Sequence, residues 1–297
     1  MPITPARVRK AILPVAGLGT RLLPVTKAVP KEMLPIVDKP CVHYVVEEAL
    51  SAGIEEVALV TARGKGDIED FFDRDTDLEH LLAEGGKRKQ LNALRSVPQA
   101  ASICAIRQPS PQGLGHAVAC AKRFAAGEPV AVLLSDDLVR VKDGRRSAVG
   151  QLIDAFERTG AAQVGLINIP PEEMHCYGVA RGQTDATGAF VIEKTIEKPA
   201  AGAVPPSPAI MGRYILPPTI WPFLRAQGPG KNGEIQLTDA LNHFAHTHPL
   251  HGCFIKGQRI DVGSPLGYVQ ATVLETLSRP QLRQDFVTWL KQQQVIH

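Results

Sequence analysis

The chain has 297 residues, of which 33 are Lys or Arg and 30 are Asp or Glu, so its formal net charge is +3. So small a basic excess argues against a protein that neutralises many nucleic-acid phosphates. Apolar residues make up 44% of the chain, which is ordinary for a globular protein with a sizeable core. No apolar run approaches the ~18 residues of a membrane span, and the N-terminus has no apolar stretch long enough for export. We therefore expect a cytoplasmic protein with neither nucleic-acid nor membrane partners.

The first half of the chain alternates strand-like and helix-like segments. Continuous apolar runs predict strands at Lys10–Val15, Glu56–Thr61, Ala101–Arg107 and Pro129–Leu134. Between them, helices are predicted from about Val42 to a stop at Gly53, at Asp67–Phe72, in an exposed excursion at Asp77–Ser96, and at Gly115–Phe124. This alternation is typical of an α/β fold with a Rossmann-like, mostly parallel sheet that helices cover on both faces.

The second half has a mixed pattern. The predicted elements are a helix at Gln151–Thr159, a strand at Gln163–Ile169, β-rich stretches at Tyr177–Arg181 and Phe190–Ile196, a surface loop at Pro199–Pro208, and helices at Gln236–His246, Leu266–Thr276 and Leu282–Gln294. We expect one domain over residues 1–297. Its parts are a Rossmann-like half to about residue 150, a mixed β-rich half over about 151–265, and C-terminal helices over about 266–297.

A glycine-containing segment directly follows the first predicted strand, over Leu13–Pro24. Its glycines allow close backbone approach to a ligand, and successive N–H groups can form an anion-binding nest. The segment has neither the Walker A pattern nor GxGxxG, and no acidic residue follows the second strand to hold an NAD ribose. A tight turn would explain Gly17 and Gly19, but it would not explain Arg21 and Lys31, which could clamp a triphosphate.

The run VAGLGTRLLPVTKAVPKEMLPIVDKP, residues 15–40, resembles the signature of the nucleotide–sugar pyrophosphorylases. Within them it is most similar to the bacterial UTP–glucose-1-phosphate uridylyltransferases. Further matches follow in order at residues 107–108, 113–117, 136, 177–179, 197–199, 212–214 and 234–240. The resemblance extends from about Lys10 to about Gln270, which is nearly the whole chain.

The resemblance implies a reaction in which glucose 1-phosphate attacks UTP, giving UDP-glucose and pyrophosphate with Mg²⁺ and without a covalent intermediate. The implied nucleotide-binding residues are Ala16, Gly17, Gly19, Thr20, Glu32, Gln108 and Gly113. Arg21, Lys31 and Lys198 are the implied catalytic cations, and Gly178, Glu197 and Lys198 the implied sugar-binding residues. Asp136 and Asp261 are the implied metal ligands.

Elementary chemistry agrees with several of these roles. Asp136 ends an apolar strand, at the edge where open α/β sheets bind ligands, and Mg²⁺ prefers oxygen ligands together with phosphates. The Gln108 amide offers both a donor and an acceptor to the imide edge of uracil. Two motifs depart from the family pattern: Leu134-Ser135-Asp136 replaces Leu-Pro-Asp, and Asp261-Val262-Gly263 replaces Asp-Cys-Gly. Each retains its Asp.

Three further polar side chains close in sequence to the matched motifs need separate interpretation. Asp137 is either a further metal ligand beside Asp136 or a turn or cap residue. His175 and Cys176 are expected in an exposed loop without a catalytic role, because nothing there matches the family's chemistry.

Other functions and the state of assembly stay open. The alternatives are a thymidylyltransferase that uses dTTP, a catalytically silent nucleotide-binding regulator, and an NAD-dependent oxidoreductase. The third lacks the acidic residue that its cofactor needs. Leu282, Phe286 and Leu290 share one helical face, with Trp289 beside it. That face either docks on its own subunit or forms a homodimer or homotetramer contact.

Overall fold

The computed structural model describes residues 7–98, 103–142, 144–230 and 233–294. Its strands are β1 (Lys10–Pro14), β2 (Pro35–Ile36), β3 (Lys39–Pro40), β4 (Glu56–Thr61), β5 (Ile103–Arg107), β6 (Val130–Leu133), β7 (Asp137–Arg140), β8 (Ala162–Ile167), β9 (Gly178–Thr184), β10 (Phe190–Glu197), β11 (Ala209–Leu216), β12 (Leu250–Phe254) and β13 (Gln258–Asp261). Its helices are α1 (Cys41–Ser51), α2 (Gly66–Asp70), α3 (Thr76–Glu84), α4 (Arg88–Arg95), α5 (Leu114–Cys120), α6 (Lys122–Ala125), α7 (Ala148–Thr159), α8 (Trp221–Ala226), α9 (Leu237–Ala245), α10 (Pro265–Ser278) and α11 (Pro280–Gln292).

Within the described residues, nine strands form one sheet in the order β5-β4-β1-β6-β11-β8-β12-β10-β9. The strands β5, β4, β1 and β6 of the first half are parallel. In the second half β11 lies antiparallel between β6 and β8, and β10 pairs antiparallel with β9 and β12. The predicted α/β fold, with a Rossmann-like parallel first half and a mixed second half, is confirmed.

Helices cover both faces of this sheet. Successive side chains of a strand point to opposite faces, so one strand contributes to two apolar clusters. Ala11 and Leu13 of β1 face one apolar cluster and Ile12 faces the other. The first cluster is completed by α1 and α7, and the second by α5, α8 and α9. Strands buried on both faces read as continuous apolar runs, which is why β1, β4 and β6 were predictable.

Several element boundaries differ from the sequence-based expectation. The charged excursion at Asp77–Ser96 forms two helices, α3 and α4, with a break at Gly85 and Gly86. The segment predicted as one helix from Gly115 is divided between α5 and α6. The start of the strand predicted at Ala101 falls outside the described residues, and β5 begins at Ile103.

Three elements near the centre of the fold were not predicted: strands β11 and β12, and the two-stranded ribbon of β7 with β13. Strand β11 carries Gly212 and Arg213 in the middle of its apolar run, which obscured the strand pattern. None of the helices among the described residues combines the length and apolar character needed to cross a bilayer.

Candidate active site

The glycine-containing segment leaves β1 at the carboxyl edge of the parallel strands. Gly19 has φ +67°, and a Cβ there would lie 3.1 Å from both Lys31 Cβ and Thr26 Cγ2. A side chain at this position would therefore be strained and crowded. Gly17 has ordinary room, since its nearest neighbour would be Lys31 Cε at 3.7 Å. The turn thus explains why position 19 is glycine, whereas neither the backbone conformation nor crowding requires glycine at position 17.

Two cations and two carboxylates meet beside this turn. The Arg21 guanidinium lies 3.0 Å from an Asp261 oxygen and 3.6 Å from Asp136 Oδ2. The Lys31 ammonium lies 2.6 Å from the same Asp136 oxygen. The predicted catalytic pair Arg21 and Lys31 is thereby joined to the predicted metal ligands, although Arg21 and Asp261 are 240 positions apart in the chain.

The charges of this cluster stabilise one another. Burial raises the pKa of the Asp136 carboxyl, but Lys31 and Arg21 lower it more, so the pKa lies below its usual range. Burial lowers the pKa of Lys31, but Asp136 and Glu32 raise it more, so that pKa lies above its usual value. Asp136 and Lys31 are therefore both charged at neutral pH.

The carboxylates of Asp136 and Asp261, the predicted metal ligands, lie close to one another. A Cβ on Gly263 would lie 3.0 Å from Asp136 Oδ2 and 3.1 Å from Asp261 Oδ1, so both carboxylates face one small space. The Val262 N–H also donates to the Asp136 carbonyl, over 2.9 Å. Among the described residues, no group of three or more His, Cys, Asp or Glu side chains is arranged to hold a metal ion by itself. Two carboxylates suit a metal that takes its remaining ligands from phosphates and water.

A cavity of about 510 Å³ opens beside the carboxylates. The predicted residues in its wall are Arg21, Asp136, Gly178, Glu197, Lys198 and Asp261. The described wall does not include Ala16, Gly17, Gly19, Thr20, Lys31, Glu32, Gln108 or Gly113. The predicted sugar-binding residues and metal ligands therefore share one chamber.

Glu197 and Lys198 stand where β10 ends. Glu197 Oε2 accepts a hydrogen bond from the Thr238 hydroxyl over 3.0 Å, and Lys198 Nζ lies 3.6 Å from Glu197 Oε1. A Cβ on Gly178 would lie 3.0 Å from Thr238 Cγ2 and 3.2 Å from Glu197 Oε2, so any side chain there would crowd both. Lys198 has φ +43°, which is unusual for a non-glycine residue and is found disproportionately at functional sites.

The Gln108 side chain contacts the backbone of Gly113 at the start of α5. Gln108 Nε2 lies 3.2 Å from the Gly113 carbonyl oxygen and 2.9 Å from His116 Nδ1. Gly113 has φ +99°, and a Cβ there would lie 2.8 Å from Glu234 Cβ and from the Ile235 carbonyl oxygen. Only glycine fits at this start of α5.

Glu32 is almost wholly buried, and its carboxylate forms an ion pair with Lys65. The Lys65 ammonium lies 2.7 Å from Glu32 Oε2 and also donates to the Val15 carbonyl over 2.6 Å. Burial raises the pKa of Glu32 and lowers that of Lys65, and their mutual attraction opposes both shifts. Sequence reasoning missed Lys65, whose one signal is its place just after β4.

The interpretation of Asp137 as a turn or cap residue is wrong. Asp137 begins β7, is 6% exposed, and forms an ion pair with Arg259. Its Oδ2 accepts from the Gly212 N–H over 3.2 Å, and burial raises the pKa of its carboxyl. The Arg259 guanidinium in turn lies 4.7 Å from the centre of the Tyr177 ring. Arg259 therefore connects Asp137 of the β7–β13 ribbon to Tyr177 in the cavity wall, a contact with no local sequence signal.

His175 and Cys176 are exposed, as expected, and Cys176 also lies in the cavity wall. The His175 Nε2 atom is 3.4 Å from the Cys176 sulfur. Cys176 therefore borders the site.

Comparison with known proteins decides the family. The profile described as nucleotidyl transferase matches residues 10–276. The chain belongs to the nucleotidyl transferase family. The match spans both the glycine-containing segment and the β7–β13 ribbon, so every predicted site residue of this nucleotidyl transferase lies within it.

Individual relatives are similar over almost their whole length. A UTP–glucose-1-phosphate uridylyltransferase of Bacillus subtilis is 43% identical over 285 residues, covering 96% of this chain and 97% of the relative. A UTP-bound UGPase of Acinetobacter baumannii superposes with a TM-score of 0.85 at 38% identity, covering 95% of this chain and 98% of that one. A UDP-glucose pyrophosphorylase complexed with UDP-glucose has a TM-score of 0.81 at 38% identity, covering 92% and 100%.

Proposed function

We propose that this nucleotidyl transferase transfers the uridylyl group of UTP to glucose 1-phosphate, giving UDP-glucose and pyrophosphate. The observation that carries the proposal is the cluster of Arg21, Lys31, Asp136 and Asp261 at one end of a cavity whose wall also holds Glu197 and Lys198. The names of the relatives support the same nucleotide and sugar. Because both substrates are intracellular metabolites, the proposal includes a cytoplasmic location.

The proposed chemistry is an in-line attack of one phosphate on another. Glucose 1-phosphate already has an ionised oxygen at neutral pH, so neither a general base nor a covalent intermediate is needed. The barrier comes from bringing two anions together, and catalysis therefore consists of charge neutralisation and positioning. Arg21 and Lys31 would stabilise the departing pyrophosphate, while Lys198 would orient the sugar phosphate.

The proposal assigns Mg²⁺ to Asp136 and Asp261, whose oxygens suit a hard cation. When bound, the ion would neutralise charge on the reacting phosphates. Arg21, which now contacts both carboxylates, would then be available to the substrate.

The two parts of the single domain would divide recognition between them. Residues up to about 150 would bind the nucleotide, through the backbone at Ala16, Gly17, Gly19 and Thr20 and through Gln108 and Gly113. Residues over about 151–265 would bind glucose 1-phosphate, with Glu197 accepting hydrogen bonds from sugar hydroxyls and Gly178 leaving room for the ring. Glu32 would act through Lys65, because its own carboxylate is buried.

The decisive experiment measures pyrophosphate release with Mg²⁺ and glucose 1-phosphate, comparing UTP with dTTP. We expect rapid release with UTP that is lost in EDTA and without sugar phosphate. A preference for dTTP would move the assignment to a thymidylyltransferase, since thymine has the same imide edge. Folded protein that releases pyrophosphate from neither nucleotide would be a silent relative.

Replacing Gly263 with alanine should lower turnover without unfolding the protein. The new Cβ would stand 2.5 Å from Arg21 Nη2, and the flexible guanidinium can move away at little cost. The same Cβ would stand 3.0 Å from Asp136 Oδ2 and 3.1 Å from Asp261 Oδ1, in the space that the proposal assigns to the metal ion. We therefore expect kcat to fall by about tenfold to a hundredfold, as for loss of one charge-stabilising group. The check is steady-state kinetics together with a thermal melt. Gly228→Ala, whose Cβ would meet no atom within 4 Å, is the matched control. Unchanged kcat in Gly263→Ala would contradict the assignment of the metal ion to the space between Asp136 and Asp261.

We also propose that the protein is a homodimer or homotetramer that associates through α11. No residue of α11 is buried, Trp289 is 51% exposed, and the Phe286 and Trp289 rings stack with centroids 6.0 Å apart. Sedimentation of a chain truncated after Ser278 should show fewer subunits per particle than the full chain. A truncated chain with the same number of subunits would place the interface elsewhere.

A further inference from the structure

We infer that His116 is a positioning residue that fixes the direction of the Gln108 amide and thereby makes the site select UTP over CTP. The inference rests on the proposed function, in which Gln108 contacts the base. It concerns a side chain that touches Gln108 and need not touch the nucleotide.

The hydrogen bonds of the Gln108 amide determine its orientation. The Gly113 carbonyl can only accept, so the amide nitrogen and not the amide oxygen must face it, at 3.2 Å. The same nitrogen lies 2.9 Å from His116 Nδ1. An amide nitrogen has two hydrogens, and these two acceptors use both.

The amide oxygen is consequently the one group of Gln108 left for a ligand. No hydrogen bond from a described residue reaches Oε1. Gln108 as a whole is 5% exposed, and the hydrogen bonds of its amide among the described residues all use Nε2. Gln108 therefore presents an acceptor, and not a donor, to whatever binds beside it.

An acceptor at this place distinguishes two nucleotides of the same size and charge. Uracil has an N–H donor at N3, between two carbonyl oxygens, and this N–H can donate to Oε1. Cytosine has a lone pair at N3, which would face the lone pairs of Oε1. Binding CTP would leave a buried acceptor unpaired, and sites built to form a hydrogen bond discriminate strongly against ligands that cannot complete it.

The position of His116 is itself well determined. It lies in the first turn of α5, where the Gly115 N–H donates to the Ile235 carbonyl over 2.8 Å. His116 Nε2 lies 4.0 Å from the Cys120 sulfur, one turn further along the helix. Since Nδ1 accepts from Gln108, the proton of the neutral imidazole is on Nε2 and points to that weak sulfur acceptor.

The test compares two substitutions of the same shape, His116→Leu and His116→Asn. Asparagine keeps an acceptor at the distance of Nδ1 from the backbone, whereas leucine has a methyl group there, and both lack Nε2. The measured quantity is the ratio of kcat/KM for UTP to kcat/KM for CTP. We expect the ratio to fall by about fivefold to tenfold in His116→Leu, the value of one hydrogen bond, and to stay within about twofold of wild type in His116→Asn.

Two results would overturn the inference. One is an unchanged UTP-to-CTP ratio in His116→Leu; if kcat/KM then falls equally for both nucleotides, the ring has a merely structural role. The other is an equal fall of the ratio in His116→Leu and His116→Asn. His116→Ala replaces His116→Leu if the latter does not fold, as judged by circular dichroism. Wild-type protein that fails to use UTP would refute the proposed function and this inference together, whereas a wild-type preference for UTP that survives His116→Leu would refute this inference alone.

Discussion

Asp136→Asn is expected to lower kcat for UDP-glucose formation by about a thousandfold, the upper end of what one charge-stabilising group contributes. The substitution removes the charge that the proposal assigns to Mg²⁺, and it leaves the Lys31 ammonium, now 2.6 Å from the carboxylate, without its counter-charge. The pKa of Asp136 lies below its usual range, so the carboxylate is charged throughout the neutral range and the loss should not depend on pH there. Pyrophosphate release at saturating UTP, glucose 1-phosphate and Mg²⁺ measures it.

Asp154→Asn is the matched control, because it makes the same chemical change outside the site. Asp154 lies on α7, and its side chain is 47% exposed in an ion pair with Arg146. Exposed pairs of this kind contribute little, so its kcat should match that of the wild type. Asp136→Asn protein that keeps a tenth or more of wild-type turnover would refute the assignment of Asp136 as the metal ligand.

Glu48→Gln is expected to lower the free energy of unfolding by about 3–5 kcal/mol, the range observed when one partner of a buried ion pair is removed. Glu48 accepts from Arg213 through both oxygens, at 3.0 and 2.8 Å, and the Arg213 side chain is 0% exposed. Glutamine keeps the shape but leaves the buried guanidinium charge without the carboxylate that it contacts through two hydrogen bonds. Urea unfolding of the two proteins measures the difference.

An exposed glutamate provides the control for this substitution. Glu55→Gln changes a 44% exposed carboxylate that pairs with Arg7 and Arg9, and it should cost less than about 1 kcal/mol. Equal losses of unfolding free energy for Glu55→Gln and Glu48→Gln would contradict the prediction for the buried pair.

The Arg213 pair also supports the site directly. Its guanidinium donates to the carbonyls of Leu134 and Asp137, on either side of the turn that holds Asp136. Glu48→Gln should therefore reduce activity at temperatures below its own unfolding transition.

The sequence by itself determined the first half of the fold and the identity of most candidate site residues. Continuous apolar runs identified β1, β4 and β6, because strands buried on both faces need apolar residues at every position. The position of Asp136 at the end of β6 followed from the same reasoning. The spacing of Gly17, Gly19, Arg21 and Lys31 indicated a phosphate site, and the resemblance supplied the remaining residues.

Only the tertiary structure decided how the second half completes the site. Strand β11 is antiparallel and has Arg213 in its buried interior, so neither its period nor its composition is that of a typical buried strand. What makes Arg213 acceptable there is Glu48, which lies 165 positions away in the chain. In the same way, Arg259 explains the burial of Asp137, and Lys65 explains that of Glu32.

These cases have one physical reason. Helices and strands are encoded by residues that are neighbours in the sequence, and their periodicity can be read locally. A buried charge or a directed amide is stable only beside a partner of opposite charge or complementary hydrogen-bonding capacity, and chain crossovers bring that partner from a distant segment. The sequence therefore predicts that Gln108 contacts the base, whereas only the contacts with Gly113 and His116 show which atom of its amide they leave unused.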